Sequence, residues 1–311
     1  MASPPSPPPL RVVTAASLFD GHDAAINVMR RLIQAAGCEV VHLGHNRSVA
    51  DVVRAAVQED ADAIAVSSYQ GGHVEYLTYM VELLREAGAG HVKVFAGGGG
   101  TIAPHEVEEL HAAGVERIYT PDDGLQLGLQ GMIDDLVTRA ARGRVASALP
   151  GPGEGDLHVA RLLSALEDGA IPPAELDALL AQWAVAGRDV PVVGITGTGG
   201  AGKSTVTDEL LARLLAALPE LRVAVLAVDP TRRRTGGALL GDRIRLNSLR
   251  SERAFMRSLA TRRQHVSTSA VLGQAIACVR AHGFDLVVVE TAGIGQSDSE
   301  IVDLVDVPVY V

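Results

Sequence analysis

Val192-Val193-Gly194-Ile195-Thr196-Gly197-Thr198-Gly199-Gly200-Ala201-Gly202-Lys203-Ser204, followed by the helical run Thr205–Leu215, decides how this chain folds. Gly197 to Ser204 satisfies GxxxxGK[ST] in full, between an apolar strand and a helix, which is the context the motif requires. The backbone through Gly197, Gly199, Gly200, Ala201, Gly202, Lys203, Ser204 and Thr205 can turn its amides onto phosphate oxygens. The helix that follows adds its positive N-terminus. Lys203 is placed to reach the β- and γ-phosphates, and Ser204 to ligate Mg²⁺.

Two later segments complete this unit. Arg222–Val228 reads as a second strand, and Asp229 at its end sets a carboxylate toward the phosphates. Leu286–Glu290 is a third strand, followed by Thr291-Ala292-Gly293. Glu290 can hold Mg²⁺ or its water, and the Gly293 amide can meet a γ-phosphate. Asp242 lies in a polar, glycine-flanked segment between these strands, a place suited to a mobile loop. Val307–Val311 reads as a further strand. An α/β unit that stops there has an unfinished sheet, so the chain reads as part of a longer protein.

Outward from this unit, residues 10–145 alternate strand and helix. Apolar runs stand at Arg11–Ala15, Glu39–Leu43, Ala63–Ser67, Val92–Ala96 and Arg117–Tyr119. Helical patterns fall near 23–36, 49–59, 74–87, 104–113 and 124–141. Five short strands with intervening helices predict a parallel, doubly wound sheet of flavodoxin-like order. Residues 146–190 form a linker, with breakers at Pro150-Gly151-Pro152-Gly153 and two amphipathic helices near 156–168 and 173–186. Trp183 in the second is expected to pack against a neighbouring domain. The truncated phosphate-binding unit fills residues 191–311, and residues 1–9 read as a Pro-rich tail.

In the first unit, Asp20-Gly21-His22 follows the first strand, at the end of a parallel sheet where ligands bind. His22 can offer a ring nitrogen to a metal, with Asp20 fixing its tautomer. Ser67 ends the third strand, and Gly97-Gly98-Gly99-Gly100 ends the fourth. Residues without bulk at adjacent strand ends leave a slot for an extended ligand tail. His45 and His73 are further lining candidates.

Composition narrows the function classes. A formal net charge of −10 on 311 residues disfavours binding to a nucleic-acid backbone. No run approaches the apolar length of a membrane span, and no signal-peptide pattern stands at the N-terminus, which points to the cytoplasm. Cys38 and Cys278 lack metal-ligand spacing and read as buried reduced thiols.

Gly197–Ser204, Val228-Asp229-Pro230, Gly236–Arg243 and Glu290–Ser297 together resemble the G-protein chaperones of methylmalonyl-CoA mutase. That resemblance implies GTP as nucleotide and Mg²⁺ surrounded by Ser204, Asp229, Asp242, Glu290 and Thr291, with the Val228 carbonyl as a further ligand. It brings Arg245 to the nucleotide and makes Lys203, Asp242 and Glu290 the residues of turnover. The family's guanine-reading NKxD element is expected beyond residue 311. Residues 20–25, 67–69 and 97–98 resemble the DxHxxG, SxL and GG signatures of cobalamin-binding domains, with Ala25 in place of Gly and Tyr69 in place of Leu. This implies His22 beneath cobalt, Ser67 bonded to the cofactor's nucleotide tail, and Gly97 and Gly98 admitting that tail.

The two units in this order resemble the N-terminal part of the fused isobutyryl-CoA mutases. The resemblance implies adenosylcobalamin, radical isomerisation of an acyl-CoA bound by a missing C-terminal barrel, GTP-gated cofactor loading and a homodimer. A stand-alone cobalamin-binding G-protein chaperone for a separate mutase is the alternative. A corrinoid methyl carrier joined to an unrelated kinase-like domain is a third reading.

Overall fold

The computed structural model describes residues 7–21, 23–142, 144, 147–229, 237–261, 268–291 and 301–311, apart from the side chains of Asp23, Asp242 and Thr268. The expected roles of His22 and Gly293, and of the Asp242 side chain, lie outside the described residues.

The first unit runs β1 (Arg11–Ala16), α1 (Asp23–Ala35), β2 (Glu39–His42), α2 (Val49–Gln58) and β3 (Ala63–Ser67). It continues through α3 (His73–Glu86), β4 (Lys93–Gly97), α4 (Pro104–Ala113), β5 (Arg117–Tyr119) and α5 (Pro121–Ala141). Two linker helices follow, α6 (Asp156–Glu167) and α7 (Pro173–Ala186). The second unit holds β6 (Val192–Thr196), α8 (Lys203–Ala217), β7 (Val223–Asp229), β8 (Ala238–Leu240), β9 (Ala254–Ala260), α9 (Thr268–Arg280), β10 (Leu286–Thr291) and β11 (Val307–Tyr310).

All the strand pairings are parallel. The first sheet has the flavodoxin-like order β5-β4-β3-β1-β2, extended by β8 from the second unit; the second has the order β11-β6-β10-β7-β9. Successive strand residues face opposite layers. In β1, Val13 and Ala15 join one apolar cluster and Val12 the other. In β7, Ala224, Leu226 and Val228 face one layer, and Val223, Val225 and Ala227 the opposite one. Strands buried on both faces explain their near-continuous apolar sequence.

Three features differ from the sequence expectation. Helix α5 begins at Pro121 rather than near 124, because Thr120 caps it by accepting the Asp123 amide at 3.3 Å. It breaks at Gly128, which adopts φ 65°, a conformation open to glycine. Strands β8 and β9 and helix α9 were not read from the sequence. In β9, Arg257 and Ser258 interrupt the apolar run, yet both are buried. Trp183 packs as expected on the second unit, edge-on to His282 at 5.8 Å.

Arg257 is buried because it belongs to an ionic cluster between the units. Glu59 accepts from the Ser258 amide at 3.1 Å and hydroxyl at 3.0 Å, and pairs with Arg243 at 3.3 Å and Arg11 at 3.7 Å. Arg11 also meets Glu39 at 2.7 Å and Glu167 at 3.2 Å; Glu167 in turn meets Arg257 at 2.5 Å. Burial alone would lower the Arg11 guanidinium. The carboxylates of Glu167, Glu39 and Glu59 outweigh burial and raise it above its ordinary value.

Removing one partner from such a cluster strands a buried charge, a loss of about 3–5 kcal/mol. Glu59→Gln should therefore lower the Tm sharply. Arg188→Ala, at an ion pair exposed on both sides, should leave it unchanged. Differential scanning fluorimetry of both variants checks the contrast.

Candidate functional site

The first candidate site lies at the carboxyl ends of β3 and β4. A cavity of about 470 Å³ opens there between the sheet and helices α1 and α5. Its wall is mostly apolar, with Ile26, Met29, Phe95, Met132 and Leu136, and it includes Ser67, Gly97, Gly98 and Tyr119. That size and lining fit a buried organic group. The Ser67 hydroxyl is buried with no hydrogen-bond partner among the described residues. A hydroxyl in an apolar wall without a partner carries a desolvation cost that a polar ligand atom would relieve.

The two predicted glycines do different work here. A Cβ on Gly97 would stand 3.3 Å from the Tyr119 carbonyl, a tight contact that leaves the residue bordering the cavity. A Cβ on Gly98 would collide with the Ser68 carbonyl. Gly98 is thus required by its own chain, besides lining the slot. Tyr69, in a position where leucine was expected, lays its ring against Gly99.

Asp20 is fully buried and accepts the Tyr69 amide at 2.7 Å. It therefore ties the loop after β1 to the loop after β3, bracing the segment that carries His22. His42 contacts the Thr14 hydroxyl at 2.9 Å between β1 and β2. His73 stands outside the cavity lining, with Nε2 3.0 Å from Glu106. A larger cavity of about 650 Å³ opens elsewhere, beside Arg11, Asp62 and the linker segment 147–151, and holds none of the predicted site residues.

The second candidate site is the loop between β6 and α8. Lys203 Nζ donates to the carbonyls of Gly197 at 2.9 Å and Thr198 at 3.1 Å, so its ammonium lies across the loop mouth. Gly197 and Gly200 have φ 142° and 83°, and Gly202 has 98°, conformations that glycine alone adopts readily. Ser204 donates to Glu290 Oε1 at 2.7 Å, and Thr207 donates to Oε2 at 2.9 Å. The structure thus joins the loop serine to Glu290, the penultimate residue of β10. Thr207 was not singled out from the sequence. Its position three residues after Ser204, on the same helix face, is the signal that could have found it.

Asp229, 7% exposed, ends β7 with Oδ2 buried and unpartnered among the described residues. Burial, helped by the charges of Glu59 and Glu290 and opposed by Arg245, pushes its carboxyl up to about 7. A bound cation would stabilise the ionised form of such a carboxyl beside Glu290. The hydroxyl of Ser204 with these two acids makes an oxygen-only donor set suited to a hard divalent ion. The Thr291 hydroxyl donates to Thr196 at 3.0 Å, across to β6. Arg245 stands exposed in the short helical turn Asp242–Arg245, close enough to Asp229 for its charge to be felt.

Residues 10–123 match the family described as "B12 binding domain", and residues 160–311 match "Methylmalonyl Co-A mutase-associated GTPase MeaB". The chain is 52% identical over 314 residues to the fused isobutyryl-CoA mutase of Geobacillus kaustophilus (strain HTA426), covering 97% of this chain and 29% of that protein. It is 56% identical over 310 residues to the fused isobutyryl-CoA mutase of Nocardia farcinica (strain IFM 10152), covering 97% of this chain and 28% of that one. The GTPase ArgK of Escherichia coli (strain K12) is 42% identical over 115 residues, 37% of this chain and 34% of ArgK. The chain spans less than a third of the length of those two mutases. Among the described residues, no helix is long and apolar enough to cross a membrane. The chain belongs to the fused isobutyryl-CoA mutase family, of which it carries a B12-binding domain followed by a MeaB-type GTPase domain.

Proposed function

We propose that this chain supplies the cofactor-holding and GTP-hydrolysing parts of an adenosylcobalamin-dependent acyl-CoA mutase. The observation that carries the reading is the apolar cavity at the ends of β3 and β4, with one unpartnered hydroxyl, in a chain whose second sheet ends in a complete phosphate loop. The reaction would be a carbon-skeleton isomerisation of the isobutyryl-CoA to n-butyryl-CoA type, at an acyl-CoA site outside these residues. The stand-alone chaperone alternative is less favoured, because the similarity to fused mutases runs through both domains and the linker between them.

When bound, adenosylcobalamin supplies a carbon radical through homolysis of its cobalt–carbon bond, chemistry that belongs to the cofactor. The protein's part is to hold and shield it. His22 would ligate the cobalt, and Asp20, braced on the Tyr69 amide, would hold the loop after β1 in place. Ser67 would satisfy its hydroxyl on the nucleotide tail, and the apolar wall would exclude water.

In the second domain, Lys203 would exchange the Gly197 and Thr198 carbonyls for β- and γ-phosphate oxygens. Ser204, Asp229 and Glu290 would hold Mg²⁺, with Asp242, Thr291 and the Val228 carbonyl nearby. Gly293 and Arg245 would meet the phosphates. GTP turnover would gate cofactor loading, in a full-length homodimer.

Three outcomes are expected from the full-length protein. Cobalamin should bind base-off, and His22→Ala should abolish the protein-imposed shift in its absorption spectrum; an unchanged spectrum would refute the ligand assignment. Lys203→Ala removes charge-assisted hydrogen bonds worth about 1.5–3 kcal/mol, so GTP affinity by calorimetry should fall roughly ten- to hundredfold. Asp229→Asn removes a desolvated charge. It should raise the Tm in the absence of Mg²⁺ and nucleotide, and abolish the stabilisation that Mg²⁺ with GTP gives the wild type.

A further inference from the structure

Strand β8 belongs by sequence to the GTPase domain and by hydrogen bonding to the cobalamin domain. It pairs in parallel with β2, with Ala238, Leu239 and Leu240 beside Glu39, Val40 and Val41. The Ala238 amide donates to the Cys38 carbonyl at 3.2 Å. Ala238 and Leu240 are fully buried in the same apolar cluster as Val13 and Val41. A Cβ on Gly237 would collide with the Gln34 carbonyl, so the approach of this strand to the sheet edge depends on glycine there.

The short turn Asp242–Arg245 follows at once. Its two ends carry Asp242 and Arg245, the groups assigned to Mg²⁺ and nucleotide. Its middle is fixed to the other domain. Arg243, 6% exposed, pairs with Glu59 at 3.3 Å, donates to the Gln58 side-chain carbonyl, and donates to the Met256 carbonyl at 3.1 Å. Gln58 ends α2, and Glu59 is its C-terminal cap. Ile244 lies against Gly44, just beyond β2, where an added Cβ would stand 2.7 Å from its Cδ1. The Gly44 carbonyl accepts the Ala16 amide at the end of β1, the strand whose following loop carries Asp20.

We propose that Arg243 is a positioning residue for GTP turnover. It clamps the turn after β8 to the cobalamin domain, so the edge of the cobalamin sheet sets where Asp242 and Arg245 stand. This rests on the reading of the second domain as a GTPase that gates cofactor loading. A planar guanidinium suits the role, because its fixed fork reaches a carboxylate, an amide carbonyl and a backbone carbonyl at once. The phosphate loop from Gly197 to Ser204 lies on the other sheet and shares none of the hydrogen bonds of the clamp, whose partners are Glu59, Gln58 and Met256. Loss of the clamp should therefore harm turnover and communication more than nucleotide binding.

The test uses the full-length protein and starts with the wild type. Measurable GTP affinity, GTP turnover and a GTP-dependent change in cobalamin affinity establish the parent reading; their absence would sink that reading and this proposal together. In Arg243→Gln, kcat for GTP should fall by about tenfold or more, with GTP affinity kept within about threefold. The effect of GTP on cobalamin affinity should disappear. Arg243→Lys keeps the charge opposite Glu59 but loses the fork, and should recover turnover in part. A parallel fall in affinity and turnover would assign Arg243 a merely structural role and overturn the proposal. So would wild-type turnover with wild-type communication.

A second measurement does not depend on the variants folding. Hydrogen exchange on the wild type should show amides 238–240 and 39–41 changing protection between GDP and a non-hydrolysable GTP analogue. Identical exchange in both states, with nucleotide bound, would overturn the proposal.

Discussion

Six buried ionic side chains hold the two sheets of this chain in one arrangement. Arg11, Arg243 and Arg257 face Glu39, Glu59 and Glu167, three charges of each sign. They come from β1, β2 and the end of α2 in the first domain, from α6 in the linker, and from β9 and the turn after β8 in the second. Taking such groups out of water costs several kcal/mol per ion, recovered only when geometry and hydrogen bonds are complete. Burial lowers the Arg243 guanidinium below its ordinary value, against the pull of Glu59. An apolar interface could slide. A cluster in which each carboxylate has named partners favours a single register.

That register ties the second domain to the edge of the first sheet. The cluster anchors Glu59, whose charge contributes to the raised carboxyl of Asp229 at the phosphate side. It anchors Arg243, and through it β8 on the edge of the cobalamin sheet. The apolar cavity sits at the carboxyl ends of β3 and β4, in the same sheet as β1 and β2, whose amino ends bring Arg11 and Glu39 to the cluster. Within the first sheet, the cavity takes the carboxyl ends of the strands and the ionic seam the amino ends of β1 and β2. The cavity wall is free to be apolar because the seam, rather than the cavity, carries the interdomain charge.

Much of this was legible in the sequence, and what was not has a physical reason. The phosphate loop was readable because its glycines, lysine and serine sit in fixed order between a strand and a helix, and the structure has β6 and α8 there. The flavodoxin-like order followed from five apolar runs with helices between them. Asp229 and Glu290 were readable as acids ending buried strands, and they do end β7 and precede the last residue of β10. Strand β9 was missed because Arg257 and Ser258 look like surface residues until Glu59 and Glu167 are seen opposite them. Strand β8 is three residues long, and its partner lies about 200 residues earlier, a pairing no local pattern encodes. The link from Ser204 through Glu290 to Thr207 needed the helix and the neighbouring strand brought together.

The central claim is that cofactor and nucleotide sites share one mechanical element and therefore influence each other's affinity. Linkage requires that influence to be reciprocal. Calorimetry on the full-length protein can measure adenosylcobalamin affinity with GDP and with a non-hydrolysable GTP analogue, then affinities for both nucleotides with and without the cofactor. The account predicts that the GTP-analogue-to-GDP preference shifts with cofactor by the same factor by which cofactor affinity shifts between nucleotides, in the range of about 5- to 150-fold. Cofactor affinity that is the same in both nucleotide states, with both nucleotides bound, would contradict it.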